Sequence, residues 1–302
     1  MELSSYGSVY NIGHKAIDGI WDNEVVIEEK IDGSQFSFGV VGTDLFVRSK
    51  GSALYFDSDG KCNQAMFQKA VDTAFFLFHH GLINNGTTYY GEYLQKPKHN
   101  VLNYSRIPAG YIIIFDVMIG DQVFLSPEEK KIEAGRIGLE CVPLLHIGRI
   151  NDFEGMKLLL ERESILGNTL IEGFVVKNYN KFTVDKKYMK GKFVSEAFKE
   201  THNKKWKTEG NKKEITQLII ETLRNPVRWE KAVIHLKERG ELTNSPKDIG
   251  ALIIEAQTDI SKEETEWIKD QLYKHFRGTI LRGSIAGLPE WYKERLAKES
   301  FG

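Results

Sequence analysis

The sequence predicts an α+β fold for its 302 residues, with strands and helices interleaved over residues 1–203 and helices alone over residues 204–302. Short apolar runs rich in β-branched and aromatic residues recur through the first part, at 25–27, 36–38, 45–47, 87–94, 111–117 and 169–177. Helical spacing separates them. Beyond residue 210 the apolar spacing is helical throughout, and no series of alternating short strands appears.

Composition sets the class. With 41% hydrophobic and 27% charged residues the chain reads as a soluble globular protein with a substantial core. No apolar run is long enough to span a bilayer, and no basic segment followed by an apolar one opens the chain. The expectation is an intracellular, cytoplasmic monomer with no membrane partner. Cys62 and Cys141 stand far apart without nearby ligand spacing, which fits a reducing compartment and argues against zinc. The net charge of −1 hides a basic run with ten lysines between Lys186 and Lys213. Such a run is either a solvated face or a track for phosphates.

The first strand pair centres on one lysine. Val25, Val26 and Ile27 form a β-branched run, Phe36 and Phe38 alternate with small polar residues, and Asp32-Gly33 between them signals a turn. Lys30 is thereby pinned at the end of a rigid strand. An ammonium held against apolar sheet loses preference for its charged form and becomes a nucleophilic amine, which makes Lys30 the candidate nucleophile; the plainer reading is a solvated lysine on a surface hairpin. Arg48 and Lys50 follow in a basic turn. Residues 63–80 read as a helix closed by Gly81, with His79 and His80 as capping or surface groups rather than ligands. Glu92 and Asp116 each lie inside an apolar strand, where a carboxylate is costly without a partner, so each marks a possible site.

Residues 127–138 and 151–166 look helical, the first opened by Ser126-Pro127 and the second closed by Gly167. Glu172 and Lys177 bracket the next strand, on opposite faces if it is regular and on one face if Gly173 is a bulge. Lys190 and Lys192 then share one side of an extended segment. In the C-terminal part helical spacing marks 211–223, 227–238, 246–256, 262–276 and 289–298, with breaks at Pro226, Gly240, Ser245 and Gly283. Leu218, Ile219, Leu223, Trp229, Val233, Leu236, Leu252, Ile253, Trp267, Ile268, Leu272 and Leu281 are the expected bundle core.

Taken together, Lys30-Ile31-Asp32-Gly33, Tyr90-Gly91-Glu92, Phe115-Asp116, Ile171 to Lys177 and Lys190-Gly191-Lys192 resemble motifs I, III, IIIa, IV and V of the covalent nucleotidyltransferases. This superfamily holds ATP-dependent DNA ligases, RNA ligases and mRNA capping enzymes. The resemblance implies a nucleotidyltransferase (ATP-grasp-like ligase) domain of antiparallel sheets flanked by helices over residues 1–203, then an all-helical accessory domain over 204–302. It also implies roles. Lys30 attacks the α-phosphorus of ATP and carries AMP, while Lys177, Lys190 and Lys192 match the charge that builds on phosphate. Glu172 is the implied ligand of Mg²⁺ or Mn²⁺. Glu92 holds a ribose hydroxyl, Phe115 stacks on the base, and Glu29 and Ile31 flank the nucleotide beside Lys30. Asp32 orients Lys30, and Arg48 meets the nucleotide or the 5′-phosphate of the acceptor.

The stretch 29–38, and Lys192 with the residues that follow it, look most like the second family of RNA ligases. Many members carry histidine where this chain has Asp32, a departure shared with DNA ligases and capping enzymes. The helical tail favours RNA, because DNA ligases and capping enzymes normally continue into a β-barrel. The expected partner is RNA, as a nicked duplex or a broken strand, with DNA as the alternative. Arg48, Lys50, Lys204, Lys205 and Lys207 are candidate phosphate contacts. Two readings stand beside RNA sealing: a DNA ligase or guanylyltransferase on the same core, and a nucleic-acid end-binding module without turnover.

Overall fold

The computed structural model of the protein describes residues 3–121, 123–150, 155–156, 158–194 and 215–300. Contacts divide the chain into two units: Met1–Glu200 with Pro226–Ala256, and Thr201–Asn225 with Gln257–Gly302.

Two sheets build the first unit. One has the strand order β1-β12-β11-β2-β10, from Tyr10–Asn11 (β1), Val25–Lys30 (β2), Leu144–Gly148 (β10), Gly173–Phe182 (β11) and Tyr188–Val194 (β12). Its pairings are antiparallel except β1 with β12. The other has the order β5-β4-β3-β6-β7-β8, from Ser34–Val41 (β3), Asp44–Ser49 (β4), Ala53–Leu54 (β5), Thr87–Tyr93 (β6), Ile112–Ile119 (β7) and Val123–Phe124 (β8), with Glu140–Cys141 (β9) parallel to β7.

Alternation gives each sheet one apolar face. Val25, Ile27, Phe174, Val176 and Met189 pack on Ile17 and Ile20 behind the first sheet. Phe36, Phe38, Val47, Tyr89 and Ile114 pack beneath the helix Gln68–His79 (α1), whose Ala70, Val71, Ala74 and Leu77 are its buried stripe. The remaining faces carry the polar residues. A second helix, Pro127–Arg136 (α2), begins with a capping box in which Ser126 and Glu129 satisfy each other's backbone N–H.

The C-terminal helices are Ile215–Leu223 (α3), Pro226–Glu238 (α4), Ile249–Glu263 (α5), Thr265–Ser284 (α6) and Leu288–Ser300 (α7). In the second unit Ile215, Ile219 and Leu223 form a small core with Ile260, Trp267, Ile268 and Leu272. This core is smaller than the bundle core expected from spacing. Trp229 is 52% exposed, Ile253 53% and Leu281 49%, because helical period marks a face without saying that another element covers it. The break expected at Gly283 falls at the last turn of α6; of the helix expected over 151–166, residues 155–156 are helical, residues 158–161 form a 3-10 turn, and residues 151–154 and 157 lie outside the described residues. No described helix is long and apolar enough to cross a membrane.

Candidate active site

The ladder β12-β11-β2 puts its lysines in rows. Gly173 lies between Lys30 and Val194, Val175 between Glu28 and Lys192, and Lys177 between Val26 and Lys190. With side chains alternating, Lys30, Glu28, Lys177, Lys190 and Lys192 all stand on the face opposite the apolar one. Gly173 is required here. A Cβ at that position would lie 2.1 Å from the Phe193 carbonyl oxygen, so only glycine lets the three strands close at this row.

Glu172 reaches Lys30 without a bulge. It sits just before β11, whose register is regular from Gly173 to Asn178, so strand alternation does not apply to it. Lys30 Nζ donates to Glu172 Oε2 at 2.5 Å. Burial draws the Lys30 pKa down, but Glu172, Glu92 and Asp32 outweigh it and hold the ammonium above the ordinary lysine range. The expectation of a lysine neutralised by apolar surroundings is thus corrected: three carboxylates surround it. Burial raises Glu172, with Lys30 and Lys192 pulling the other way.

Glu92 is the least satisfied group in the site. Its Oε2 is buried without a hydrogen-bond partner among the described residues, and burial pushes its pKa up to about 8. Glu238, at the end of α4, bonds Ser34 and adds negative charge beside Glu92, while Lys50 offsets both. Ser34 Oγ also meets His99 Nε2 at 2.9 Å, and burial lowers His99 to about 4.

The residues flanking Lys30 are held by the fold. Asp32 Oδ2 accepts from the N–H groups of Val101 and Leu102, both at 2.7 Å, and its own N–H donates to the Tyr104 hydroxyl at 2.8 Å. Glu29 accepts from Ser164 Oγ at 2.5 Å and from Ile165 N–H at 3.1 Å. Ile31 is buried beside Leu94, Tyr104 and Leu166. The side chains of both residues flanking Lys30 are therefore engaged by the fold.

Phe115 owes its position to a bulge. Tyr90 pairs with Asp116 and Gly91 with Ile114, so Phe115 is the extra residue on β7. Its freed carbonyl accepts from Lys177 Nζ at 2.6 Å and Lys130 Nζ at 2.8 Å. Gly91 is the counterpart, since a Cβ there would lie 2.6 Å from Ile112 Cγ2 and 2.9 Å from the Ile113 oxygen. The spacing of Tyr90-Gly91-Glu92 against Phe115-Asp116 thus has a steric origin.

Lys177 is 1% exposed and is consumed by the fold, 2.8 Å from Glu28 and 3.2 Å from Asp116. Lys130 meets the other Glu28 oxygen at 2.5 Å. Asp116 further accepts from the hydroxyls of Tyr6, Tyr188 and Tyr179. Lys190 lies over the rings of Tyr6 and Tyr188, at 3.6 and 4.5 Å from their centroids, and burial lowers it to about 7. The structure therefore groups Lys30, Glu172, Glu92 and Lys192, and sets Lys177 and Lys190 further along the same face in a buried network. Arg48 donates to the Leu3 carbonyl at 2.7 Å. Lys204, Lys205 and Lys207 lie outside the described residues.

Sequence reasoning missed Glu28, Lys130, Tyr6, Tyr188 and Glu238. Lys130 left one signal, a position four residues before Ala134 on the buried face of α2. Tyr6 left none.

The RNA ligase family model matches residues 23–194, which spans every motif of this site. The chain belongs to the RNA ligase family. Among solved structures, RNA ligase from Naegleria gruberi with PPi is 18% identical, with a TM-score of 0.45, over 65% of this chain and 57% of that one. A mutant of that ligase with ATP and Mn gives 18% identity and a TM-score of 0.45 over 64% and 57%. An apo mutant gives 18% and 0.48 over 65% and 56%, so these matches span little more than half of the Naegleria chains. No curated protein matches the sequence. Family membership rests on the match over residues 23–194, and the α+β fold of antiparallel sheets with a helical C-terminal region is read from the structure itself; DNA ligase and capping enzyme recede as family readings.

Proposed function

We propose that this RNA ligase seals a 5′-phosphate to a 3′-hydroxyl by way of a lysyl-AMP on Lys30. The observation that carries the reading is the Lys30–Glu172 pair beside the unpartnered oxygen of Glu92. Deprotonated Lys30 attacks the α-phosphorus of ATP: a P–N bond forms, the bond to pyrophosphate breaks, and AMP stays on the enzyme. The adenylyl group then passes to the 5′-phosphate, and the 3′-hydroxyl of the other strand displaces AMP.

Each residue has a physical task in this scheme. Glu92 accepts from a ribose hydroxyl, which supplies the partner its buried oxygen lacks. Phe115 stacks on the base from its bulge. Lys192 meets the α-phosphate, while behind it Lys177 holds the Phe115 carbonyl and Asp116 and Lys190 lies over the rings of Tyr6 and Tyr188. Asp32 fixes the loop at Val101 and Leu102 and adds to the charge around Lys30.

Among the described residues no three His, Cys, Asp or Glu side chains converge as a metal cage. Glu172 nevertheless fits a divalent ion that takes most of its ligands from phosphate and water, as Mg²⁺ and Mn²⁺ do. Such an ion, when bound, neutralises phosphate charge. Glu172 is the side chain that would hold it, and the same carboxylate is the nearest charge holding the proton on Lys30. The Naegleria ligase with ATP and Mn supports this choice of nucleotide and metal.

Residues 1–203 act here as the adenylyltransferase domain, joined in one unit by Pro226–Ala256, and the rest of 204–302 as the accessory region that engages RNA, with Arg48 and Lys50 on the acceptor side. The experiment is sealing of a nicked RNA duplex and of a single-stranded RNA with ATP and Mg²⁺, beside matched DNA substrates. The reading expects an adenylylated 5′ end followed by a joined strand on RNA. Joining of DNA alone, or neither product on any substrate, overturns it.

A further inference from the structure

The segment Leu3–Gly7 lies ahead of the residues that the family model matches, and it is laid along the seam between the two sheets. Arg48 Nη1 donates to the Leu3 carbonyl at 2.7 Å, and the Tyr90 hydroxyl donates to the Ser4 carbonyl at 3.2 Å. Tyr6 is the anchor. Its hydroxyl donates to Asp116 Oδ2 at 2.6 Å and lies 2.8 Å from the Tyr188 hydroxyl. Its ring meets Phe115 edge to face, centroids 4.9 Å apart, and carries Lys190 Nζ on its face at 3.6 Å. At Gly7 a Cβ would stand 2.9 Å from that ammonium, so glycine lets the backbone pass over it.

We propose that Tyr6 is a positioning residue for the base-binding wall, holding Phe115 in its stacking orientation from the edge while its ring closes over Lys190. The proposal rests on the reading of this site as a nucleotide site. Phe115 stands on a bulge, where the regular cross-strand partner that would steady its ring is missing. Tyr6 supplies that contact from a segment more than a hundred residues away. Because the Tyr6 hydroxyl is bonded to Asp116, the neighbour of Phe115, ring and bulge are registered to each other. A stacking ring already fixed loses less rotational freedom when a base arrives, so affinity for the base depends on the brace.

Asp116 keeps Lys177, Tyr179 and Tyr188 when the Tyr6 hydroxyl is removed, so Tyr6→Phe retains the buried network with its charge still paired. Tyr6→Leu removes the ring as well. The effect of either falls on binding of the base and not on the phosphates.

The test compares wild type, Tyr6→Phe and Tyr6→Leu in adenylylation with α-labelled ATP, in the reverse reaction with pyrophosphate, and in calorimetric titration with AMP. For Tyr6→Leu the expected result is a roughly five- to tenfold rise in KM for ATP and in Kd for AMP. Its kcat and its KM for pyrophosphate stay within about twofold, and Tyr6→Phe recovers most of the loss. Unchanged constants overturn the proposal, and so does a fall in kcat alone or an equal rise in both KM values, which marks general loosening. If Tyr6→Leu does not fold, Tyr6→Phe decides: a small rise in KM for ATP alone supports the brace, and wild-type constants refute it. A wild type that takes no label but binds AMP overturns lysyl-AMP chemistry while the titration still tests Tyr6. A wild type that does neither overturns both.

Discussion

Lys30 Nζ and Glu172 Oε2 lie 2.5 Å apart, and the pair sets the charge of Lys30 at rest. Burial lowers the Lys30 pKa, the carboxylates of Glu172, Glu92 and Asp32 raise it, and the carboxylates prevail. Attack needs the neutral amine, so adenylylation rises with pH. Glu172→Gln removes the nearest of those charges, and the acid limb of the single-turnover rate moves to lower pH while the maximal rate falls at least about tenfold. Rates of label uptake across pH in wild type and variant check this. A limb that stays in place would show that Glu172 does not hold the proton.

Glu92 costs the nucleotide-free chain stability at alkaline pH. Its folded pKa is about 8 against 4.5 for a free glutamate, so the folded state binds the extra proton between those values. Stability from this group is present below that window and is lost as pH rises through it. Glu92→Gln flattens the dependence and raises Tm at pH 8.5 by about 2–4 °C for each kcal/mol recovered. It weakens ATP binding at the same time. Melting curves at pH 5 and 8.5 with and without ATP measure both effects, and a Tm lowered equally at the two pH values would contradict this account.

Asp32 acts through the loop it holds. Its carboxylate accepts two backbone N–H groups, and hydrogen bonds to a charged group contribute about 1.5–3 kcal/mol each. Asp32→Ala therefore destabilises the chain by about 3–6 kcal/mol, and Asp32→Asn by less. Urea unfolding gives the difference; activity lost with stability intact would instead point to a direct action on Lys30.

Gly91→Ala tests the bulge. The added methyl meets Ile112 Cγ2 and the Ile113 carbonyl, so one strand has to shift, at a cost of about 1–3 kcal/mol. Because the shift propagates to Phe115, affinity for AMP falls along with Tm. Normal AMP affinity in a destabilised variant would separate the bulge from the site.

What was legible in the sequence follows from how local each feature is. The strand that ends at Lys30, helix α1 and the cap of α2 rest on residues within a few positions of one another, and alternation or capping rules reach that far. The motif lysines and carboxylates were recognisable through their order and spacing. Sequence could not show that Lys177 and Lys190 are drawn into a buried network while Lys192 stays by the Lys30–Glu172 pair. That division depends on Glu28, Asp116 and Lys130 meeting across two sheets, and such pairings leave no period along the chain. Tyr6 is the extreme case, a residue 110 positions from the carboxylate it bonds. In the C-terminal helices periodicity located the elements, yet burial depends on partners, and Trp229 and Leu281 stay about half exposed.

The most direct test is to incubate the purified chain with α-labelled ATP and Mg²⁺, denature it, and map the labelled peptide by mass spectrometry. The account predicts one AMP that survives denaturation, carried by Lys30 and absent from Lys30→Ala. Label of equal strength in Lys30→Ala, or label on any other residue of the wild type, would contradict it.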